Sequence, residues 1–310
     1  MSLGEFELIQ RFFSDLGVAD QVLLGPGDDA ATLRVPPGHV LHISTDTSIE
    51  DIHFPSHVAP EDIAFRAVAV AVSDLAAMGA TPLGMVLALS LPKAETHDLA
   101  AVASGLRAAV EAFSIPLVGG DTTRGSLAFT VTVLGSTPEH AVLLRSGAQP
   151  GDALCISGTL GEASAGLALL QGGWSCDELP AEAAAALKRR FLRPEPRLKL
   201  GQGLLGVASS AIDVSDGLLA DAGHIAAASG VALEIDTKLL PRSCHLRDSA
   251  DQDQVLRWAL AGGDDYELLF TLPEGADLPE GCTRIGRVHR GSGVQCDVMP
   301  SERGHDHFSG

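Results

Sequence analysis

Apolar and polar residues follow two periods along the chain, one typical of helices and one typical of strands. Apolar residues at helical spacing predict helices over 5–16, 61–78, 99–113, 181–191 and 218–229. Short apolar or alternating runs predict strands over 31–33, 40–44, 82–91, 116–118, 128–135, 153–157, 210–213 and 268–272. Because strands and helices alternate in both halves of the chain, the pattern favours an α/β or α+β fold.

The stretch 145–152 is polar and rich in turn-forming residues, and it separates the two halves. A chain of 310 residues is long enough for two ordinary domains. We therefore divide it into an N-terminal domain, residues 1–140, and a C-terminal domain, residues 141–310.

Charge narrows the range of partners. The chain has 21 basic and 40 acidic residues, a net charge of −19, which argues against nucleic acid or an anionic membrane surface as a partner.

The most apolar stretch, 67–91, is interrupted by Asp74, Gly79 and Pro82, so it predicts a helix, a turn and a strand instead of a membrane span. The start of the chain lacks the pattern of a signal peptide. Five widely spaced cysteines without a Cys-x-x-Cys pair indicate reduced thiols and a cytoplasmic location.

Aspartates next to Gly, Ser or Thr recur where predicted strands end. An isolated pair of this kind is usually a turn. Asp74 joins the set from inside an apolar helix, where an unpaired charge is costly to bury. Since loops at strand ends gather at one edge of an α/β layer, we expect these carboxylates to converge. The strand-end aspartates are Asp28, Asp29, Asp46, Asp121, Asp213, Asp216, Asp264 and Asp265.

Convergent carboxylates need cations to offset their repulsion. A ligand set made only of oxygen atoms selects Mg²⁺ or Ca²⁺ over Zn²⁺, and no Asp-x-Asp-x-Asp-Gly calcium loop is present. Glycines beside the aspartates allow phosphate oxygens to approach the backbone. The chain has no Gly-x-x-x-x-Gly-Lys-Ser/Thr loop, no protein-kinase motif set, no Gly-x-Ser-x-Gly and no His-Glu-x-x-His. These features favour magnesium-assisted handling of phosphate.

Several segments, in order along the chain, resemble the thiamine-monophosphate kinase family. The combination of Ser73–Gly79 with Gly119–Thr123 is the most specific part of the resemblance, which extends over essentially the whole chain. The remaining segments are 4–6, 27–30, 43–47, 145–148, 211–217 and 262–268.

This resemblance implies a two-domain fold shared with aminoimidazole ribonucleotide synthetase and selenophosphate synthetase. The N-terminal domain would bind ATP and magnesium and dimerise through its sheet, and an α/β domain would follow. The implied reaction transfers the γ-phosphoryl group of ATP directly, in line, to thiamine monophosphate, giving thiamine diphosphate. An acceptor that is itself a phosphate needs positioning and charge relief more than a general base, so no catalytic base is assigned.

The resemblance also implies residue roles. His53 and Asp264 would contact thiamine monophosphate. ATP would be contacted by Gly120, Asp121, Arg145 and Ser215. Several Mg²⁺ ions would be held by Asp29, Ser44, Thr45, Asp46, Asp74, Asp121, Asp213 and Asp216.

The sequence departs from the family pattern at two places. Asp264 stands where the family often has Glu, a longer side chain. The family often places an aromatic residue against the thiamine just before its C-terminal ending, and here that residue is missing. His305 and Phe308 in the ending itself are candidates to replace it, and neither is assigned that role. Two alternatives stay open. The first is another ATP-dependent synthetase of this fold, such as a ligase with a phosphorylated intermediate or an enzyme like selenophosphate synthetase. The second is a non-enzymatic protein that binds nucleotide or metal.

Overall fold

The computed structural model describes residues 5–93, 95–174, 179–247 and 251–300. The helices are α1 Glu5–Phe12, α2 Pro60–Ala77, α3 Thr96–Phe113, α4 Glu162–Gln171, α5 Ala181–Leu192, α6 Leu198–Leu204, α7 Leu218–Ser229 and α8 Gln252–Ala261. The strands are β1 Val22–Leu24, β2 Thr32–Leu33, β3 His39–Ile49, β4 Thr81–Leu91, β5 Leu117–Arg124, β6 Ala128–Pro138, β7 Ala153–Ser157, β8 Ser210–Asp213, β9 Ala232–Ile235, β10 Leu268–Leu272, β11 Cys282–His289 and β12 Gly293–Cys296. Short 3₁₀ helices span Ser14–Gly17 and Thr237–Leu239.

The chain divides into two compact units. The first consists of Met1–Leu75 and Ala80–His140, and the second of Ala76–Gly79 and Ala141–Gly310. The roles predicted for the two domains stay predictions.

The N-terminal unit contains a four-stranded sheet in the order β3-β6-β4-β5. Only the β4–β5 pair in this sheet is parallel. Helix α2 lies against one face, where Leu75 contacts Gly135 of β6. Helix α3 packs on α2, and the rings of Phe65 and Phe113 lie 5.3 Å apart there. This face and its two helices form the core of the unit.

The opposite face of this sheet is open. Leu41, Ile43, Thr45 and Thr47 of β3 are exposed on it, and Ile43 has 62% of its surface accessible. Thr45 and Thr47 each hydrogen-bond a threonine of β6, at 2.9 and 3.0 Å. We call this surface the open sheet face.

The C-terminal unit contains a six-stranded mixed sheet in the order β12-β9-β11-β7-β10-β8. Strand β10 is antiparallel to both of its neighbours, β7 and β8. The loops after β7 and β8 and the loop before β10 therefore meet at one edge of the sheet. The predicted site residues Asp213, Ser215, Asp216 and Asp264 lie at this edge. Arg145 lies elsewhere, beside the start of β8, where the Ala211 N–H donates to the Leu144 oxygen.

No helix in the described ranges is long and apolar enough to cross a membrane.

Candidate functional site

Ser44 and Asp74 are brought together in the N-terminal unit. Ser44 lies on the side of β3 that faces α2, and its hydroxyl donates a short hydrogen bond to Asp74 Oδ2. Asp74 is half-buried, although its helix neighbours Val72 and Leu75 are almost inaccessible to solvent. The carboxylate is thus held in an apolar helix by a hydroxyl donor from the sheet.

Asp46 was predicted at the end of a strand, and this is wrong. It lies inside β3, which continues to Ile49 because its polar residues pair with β6 along their whole length. Side chains alternate across a strand, so Asp46 lies on the same face as Ser44, whereas Thr45 points to the open sheet face. These three side chains therefore do not surround a single point.

Asp121 was also predicted at a strand end, and this too is wrong. It lies within β5, which pairs with β4 as far as Arg124. The register places Asp121 beside Ala88, and its side chain is exposed. The preceding Gly120 has a packing role, because a Cβ there would come within 2.0 Å of the Leu87 carbonyl oxygen.

Asp29 and His53 lie in loops of the N-terminal unit. Asp29 is exposed, and its backbone N–H donates to Asp28 Oδ1 at 2.8 Å. His53 Nδ1 accepts the backbone N–H of Ile49 at 3.0 Å. In the neutral ring Nε2 therefore carries the proton.

In the C-terminal unit the loop after β8 winds around Asp221. The carboxylate oxygen Oδ2 of this residue accepts the backbone N–H groups of Ser215, Asp216 and Gly217, each at 3.1 Å. Asp221 is only 2% exposed. It therefore fixes the loop that carries Asp216 and Ser215. Sequence reasoning missed it, although its place in the first turn of α7 is a known signal for a carboxylate that binds helix N–H groups.

Negative charge is concentrated around this loop. Burial, followed by repulsion from Asp213 and Asp216, raises the pKa of Asp221 to about 8. The hydrogen bonds from the loop N–H groups act in the opposite direction. A cation near Asp213 and Asp216 would relieve the repulsion.

The loop before β10 packs on this loop through its backbone. The Asp264 N–H donates to the Ser215 oxygen, and the Tyr266 N–H donates to the Val214 oxygen, both at 2.9 Å. Asp264 and Tyr266 have φ values of 69° and 52°. A left-handed conformation costs about 1–3 kcal/mol and tends to occur at functional sites. Gly263 permits the close approach, since a Cβ there would lie 2.2 Å from the Ser215 oxygen.

Asp265, between these two strained residues, holds the start of α4. Its carboxylate accepts the N–H groups of Gly161 and Ala163 at 2.7 and 3.3 Å. It is almost completely buried, and burial raises its pKa to about 7. The two N–H donors and the charge of Arg190 offset part of that rise.

Glu267 anchors the other end of the same loop. Its fully buried carboxylate accepts hydrogen bonds from Arg197 at 2.5 and 2.7 Å, from Arg190 at 2.9 Å and from Ser157 at 2.5 Å. A Cβ at Gly158 would approach it to 2.2 Å. Sequence reasoning missed this network, because its members are separated by 70 to 110 positions along the chain.

Arg145 lies in a loop tied to the end of α7. Its backbone oxygen accepts a hydrogen bond from the Ser229 hydroxyl, which in turn accepts the N–H groups of Gly147 and Ala148. The Arg145 side chain is exposed. The backbone is thus fixed while the guanidinium faces solvent.

The predicted metal ligands match magnesium in the chemistry of their donor atoms. Within the described ranges, no three side chains of His, Cys, Asp or Glu form a group that could hold a metal ion. The chemistry of the donors does fit Mg²⁺, since they supply oxygen atoms only, from carboxylates and from the hydroxyl of Ser44. The repulsion around Asp213, Asp216 and Asp221 is a second point of agreement.

Two known domain families together match most of the chain. Residues 27–137 match the family described as AIR synthase related protein, N-terminal domain. Residues 149–295 match AIR synthase related protein, C-terminal domain. A thiamine-monophosphate kinase of Salmonella typhimurium (strain LT2) is 43% identical over 325 residues, covering 100% of this chain and 99% of the relative. The chain belongs to the thiamine-monophosphate kinase family.

Solved structures agree with this family and with the fold expected from the sequence. The thiamine-monophosphate kinase from Stenotrophomonas maltophilia K279a is 42% identical, with a TM-score of 0.86 and coverage of 98% of this chain and 99% of that one. A structure described as AaThiL complexed with AMPPCP and TMP is 32% identical, with a TM-score of 0.81 and coverage of 99% of both chains. The predicted two-domain aminoimidazole ribonucleotide synthetase-like fold is therefore confirmed.

One predicted departure from the family lies outside the described residues. The C-terminal ending with His305 and Phe308 belongs to that part of the chain. The other departure, Asp264, lies in the strained loop before β10.

Proposed function

We propose that this chain transfers the γ-phosphoryl group of ATP to thiamine monophosphate, in line, to give thiamine diphosphate and ADP. The observation that carries the proposal is the 43% identity to a thiamine-monophosphate kinase over the whole of this chain. The relative solved with AMPPCP, an ATP analogue, and TMP supports the same pair of substrates. No described feature favours either alternative function.

The reaction requires mainly that the two substrates be positioned correctly. The acceptor is a phosphate whose second pKa is near 6, so at neutral pH it is largely ready to attack without a base. The chain's task is to bring two anions together and to align the acceptor oxygen with the γ-phosphorus. Loops fixed by Asp221, Asp265 and Glu267 suit this task, because they hold their residues before a substrate arrives.

Magnesium is part of the proposal. The ligands would be Asp29, Ser44, Thr45, Asp46, Asp74, Asp121, Asp213 and Asp216. When bound, Mg²⁺ ions would supply positive charge against the phosphate oxygens of both substrates. The residues of the chain orient these ligands: Asp74 through the Ser44 hydroxyl, and Asp216 through the N–H groups that bind Asp221.

The substrates are assigned to the remaining predicted residues. ATP would contact Gly120, Asp121, Arg145 and Ser215, with Arg145 as a phosphate ligand on a fixed backbone. Thiamine monophosphate would contact Asp264 and His53, whose ring is oriented by the Ile49 N–H.

A homodimer is also proposed, formed through the open sheet face of the N-terminal unit. Exposed Leu41 and Ile43 next to a row of threonines support it, because apolar groups on a flat sheet gain free energy when another surface covers them. Thr45 and Asp121 would then lie at the interface. A cytoplasmic location stays a prediction, supported by the spacing of the cysteines.

Incubation of the purified protein with ATP, Mg²⁺ and thiamine monophosphate tests the proposed activity. Thiamine diphosphate and ADP should form in equal amounts. Asp74→Asn should lower kcat/KM by at least roughly 10- to 100-fold, the loss typical when a group that merely supports a metal ligand is changed. The amide oxygen can still accept the Ser44 hydroxyl, so the fold should be retained and only the charge lost.

Asp98→Asn is the matched control. Asp98 is an exposed carboxylate in the first turn of α3, outside the predicted site, and its loss should leave turnover unchanged. ATP hydrolysis without thiamine diphosphate would refute the kinase assignment. Full activity of Asp74→Asn would remove Asp74 from the site.

A further inference from the structure

Tyr266 is the only tyrosine of the chain, and it lies two residues after Asp264. Its hydroxyl donates a hydrogen bond to Asp264 Oδ1 at 3.0 Å. Tyr266 is 8% exposed, whereas Asp264 is half-buried and therefore accessible to a ligand. The buried ring thus carries its hydroxyl to a carboxylate near the surface.

The backbone around this contact is unusual. An aromatic residue at a φ of 52° is an outlier, because its Cβ crowds the backbone in the left-handed region. The Tyr266 N–H donates a hydrogen bond to the Val214 oxygen. The residues on either side of Tyr266 are also fixed, because the Asp265 carboxylate binds the Gly161 N–H and the Glu267 carboxylate binds Arg197. These three attachments keep Tyr266 in a conformation that it would not adopt alone.

We propose that Tyr266 is a positioning residue for thiamine monophosphate, acting through Asp264. Its hydroxyl fixes the plane of the Asp264 carboxylate, the group that contacts this substrate in the proposed function on which the inference rests. An aspartate reaches one methylene less far than the glutamate expected there. A shorter carboxylate tolerates less misalignment, so an external donor that holds it has more effect on binding.

Tyr266→Phe removes the hydroxyl and keeps the ring. We expect KM for thiamine monophosphate to rise about 10-fold, the loss typical of a hydrogen bond to a charged group. The KM for ATP and kcat should stay nearly unchanged, because ATP is assigned to other residues. A merely structural role would lower the melting temperature without this selective change in KM.

A double-mutant cycle with Asp264→Asn tests the route of the effect. If Tyr266 acts through Asp264, Tyr266→Phe should change KM little in the Asp264→Asn background. An equal change in both backgrounds would overturn the inference. So would an unchanged KM for thiamine monophosphate in Tyr266→Phe.

A spectroscopic measurement on the wild-type protein tests the inference even if the variants do not fold. Labelling with ¹³Cζ-tyrosine gives one NMR signal, since the chain has one tyrosine. That signal should move on addition of thiamine monophosphate and stay in place on addition of ATP alone. No response to thiamine monophosphate would overturn the inference while leaving turnover intact. No thiamine diphosphate from the wild-type protein would instead remove the proposed function, and this inference with it.

Discussion

Asp265 accepts two N–H groups at the start of α4 and is almost completely buried, and these properties make stability depend on pH. Its pKa of about 7 in the folded state lies above the ordinary aspartate value of 3.8. Folding therefore takes up a proton between the two values. The contribution of Asp265 to the free energy of unfolding is full below about pH 4 and is lost as the pH rises to about 7.

Melting temperatures of the wild type and of Asp265→Asn test this at the same set of pH values. The variant lacks the titrating group, so the wild-type advantage should shrink from about pH 5 to about pH 8. Other groups, Asp221 among them, titrate in both proteins and cancel in the difference. A constant difference over this range would contradict the assigned pKa.

Among the elements, α2 and α3 approach each other closely because of Gly105. A Cβ at this position would come within 2.0 Å of the Glu61 carbonyl oxygen. Gly105→Ala should therefore force the helices apart and lower the free energy of unfolding by about 1–3 kcal/mol. Denaturant unfolding measures the loss.

Gly223 in α7 provides the opposite case. Among the described residues, no atom beyond the neighbouring backbone of α7 lies within 4 Å of a Cβ placed there. Gly223→Ala should stabilise the protein by up to about 1 kcal/mol, because alanine is the better helix former. If both substitutions changed the free energy of unfolding equally, the close packing of α2 on α3 would not be the reason for the effect of Gly105→Ala.

Elements with clear ends in the sequence were predicted well. Strands β7, β8 and β10 and helix α7 have the predicted bounds, because turn-forming or charged residues, such as Gly158, Pro273 and Gly230, mark their ends. Strands β3 and β5 extend beyond their predicted ends. Their polar residues indicated loops, but cross-strand pairing on an open face accommodates them. Ser44 and Asp74 were each predicted as magnesium ligands, and the hydrogen bond that joins their side chains was not predicted. Asp221 and Glu267 were missed, since their roles arise from distant contacts.

For the whole molecule, the open sheet face predicts the oligomeric state. The wild type should sediment at twice the chain mass of 32.0 kDa. Ile43→Lys should give a monomer, because pairing would bury two unpaired ammonium groups at a cost of several kcal/mol each. Analytical ultracentrifugation distinguishes the two states.

Val18→Lys is the control for this experiment. Val18 is 85% exposed and lies outside the four-stranded sheet, so its substitution should leave the mass unchanged. A dimer that persists in Ile43→Lys would exclude this face as the interface.

The surroundings of Glu267 also restrict how the sequence can evolve. Two arginines and a serine donate to one buried carboxylate, so changing that carboxylate alone removes the closest counterion of two half-buried cations, which keep only the longer contacts with Glu162 and Glu195. Changing either arginine alone removes part of the compensation for the carboxylate. A neutral replacement of the whole group requires several simultaneous substitutions, and each single step passes through a less fit sequence. The Glu267 group should therefore persist through long divergence, even where the surface around it changes freely.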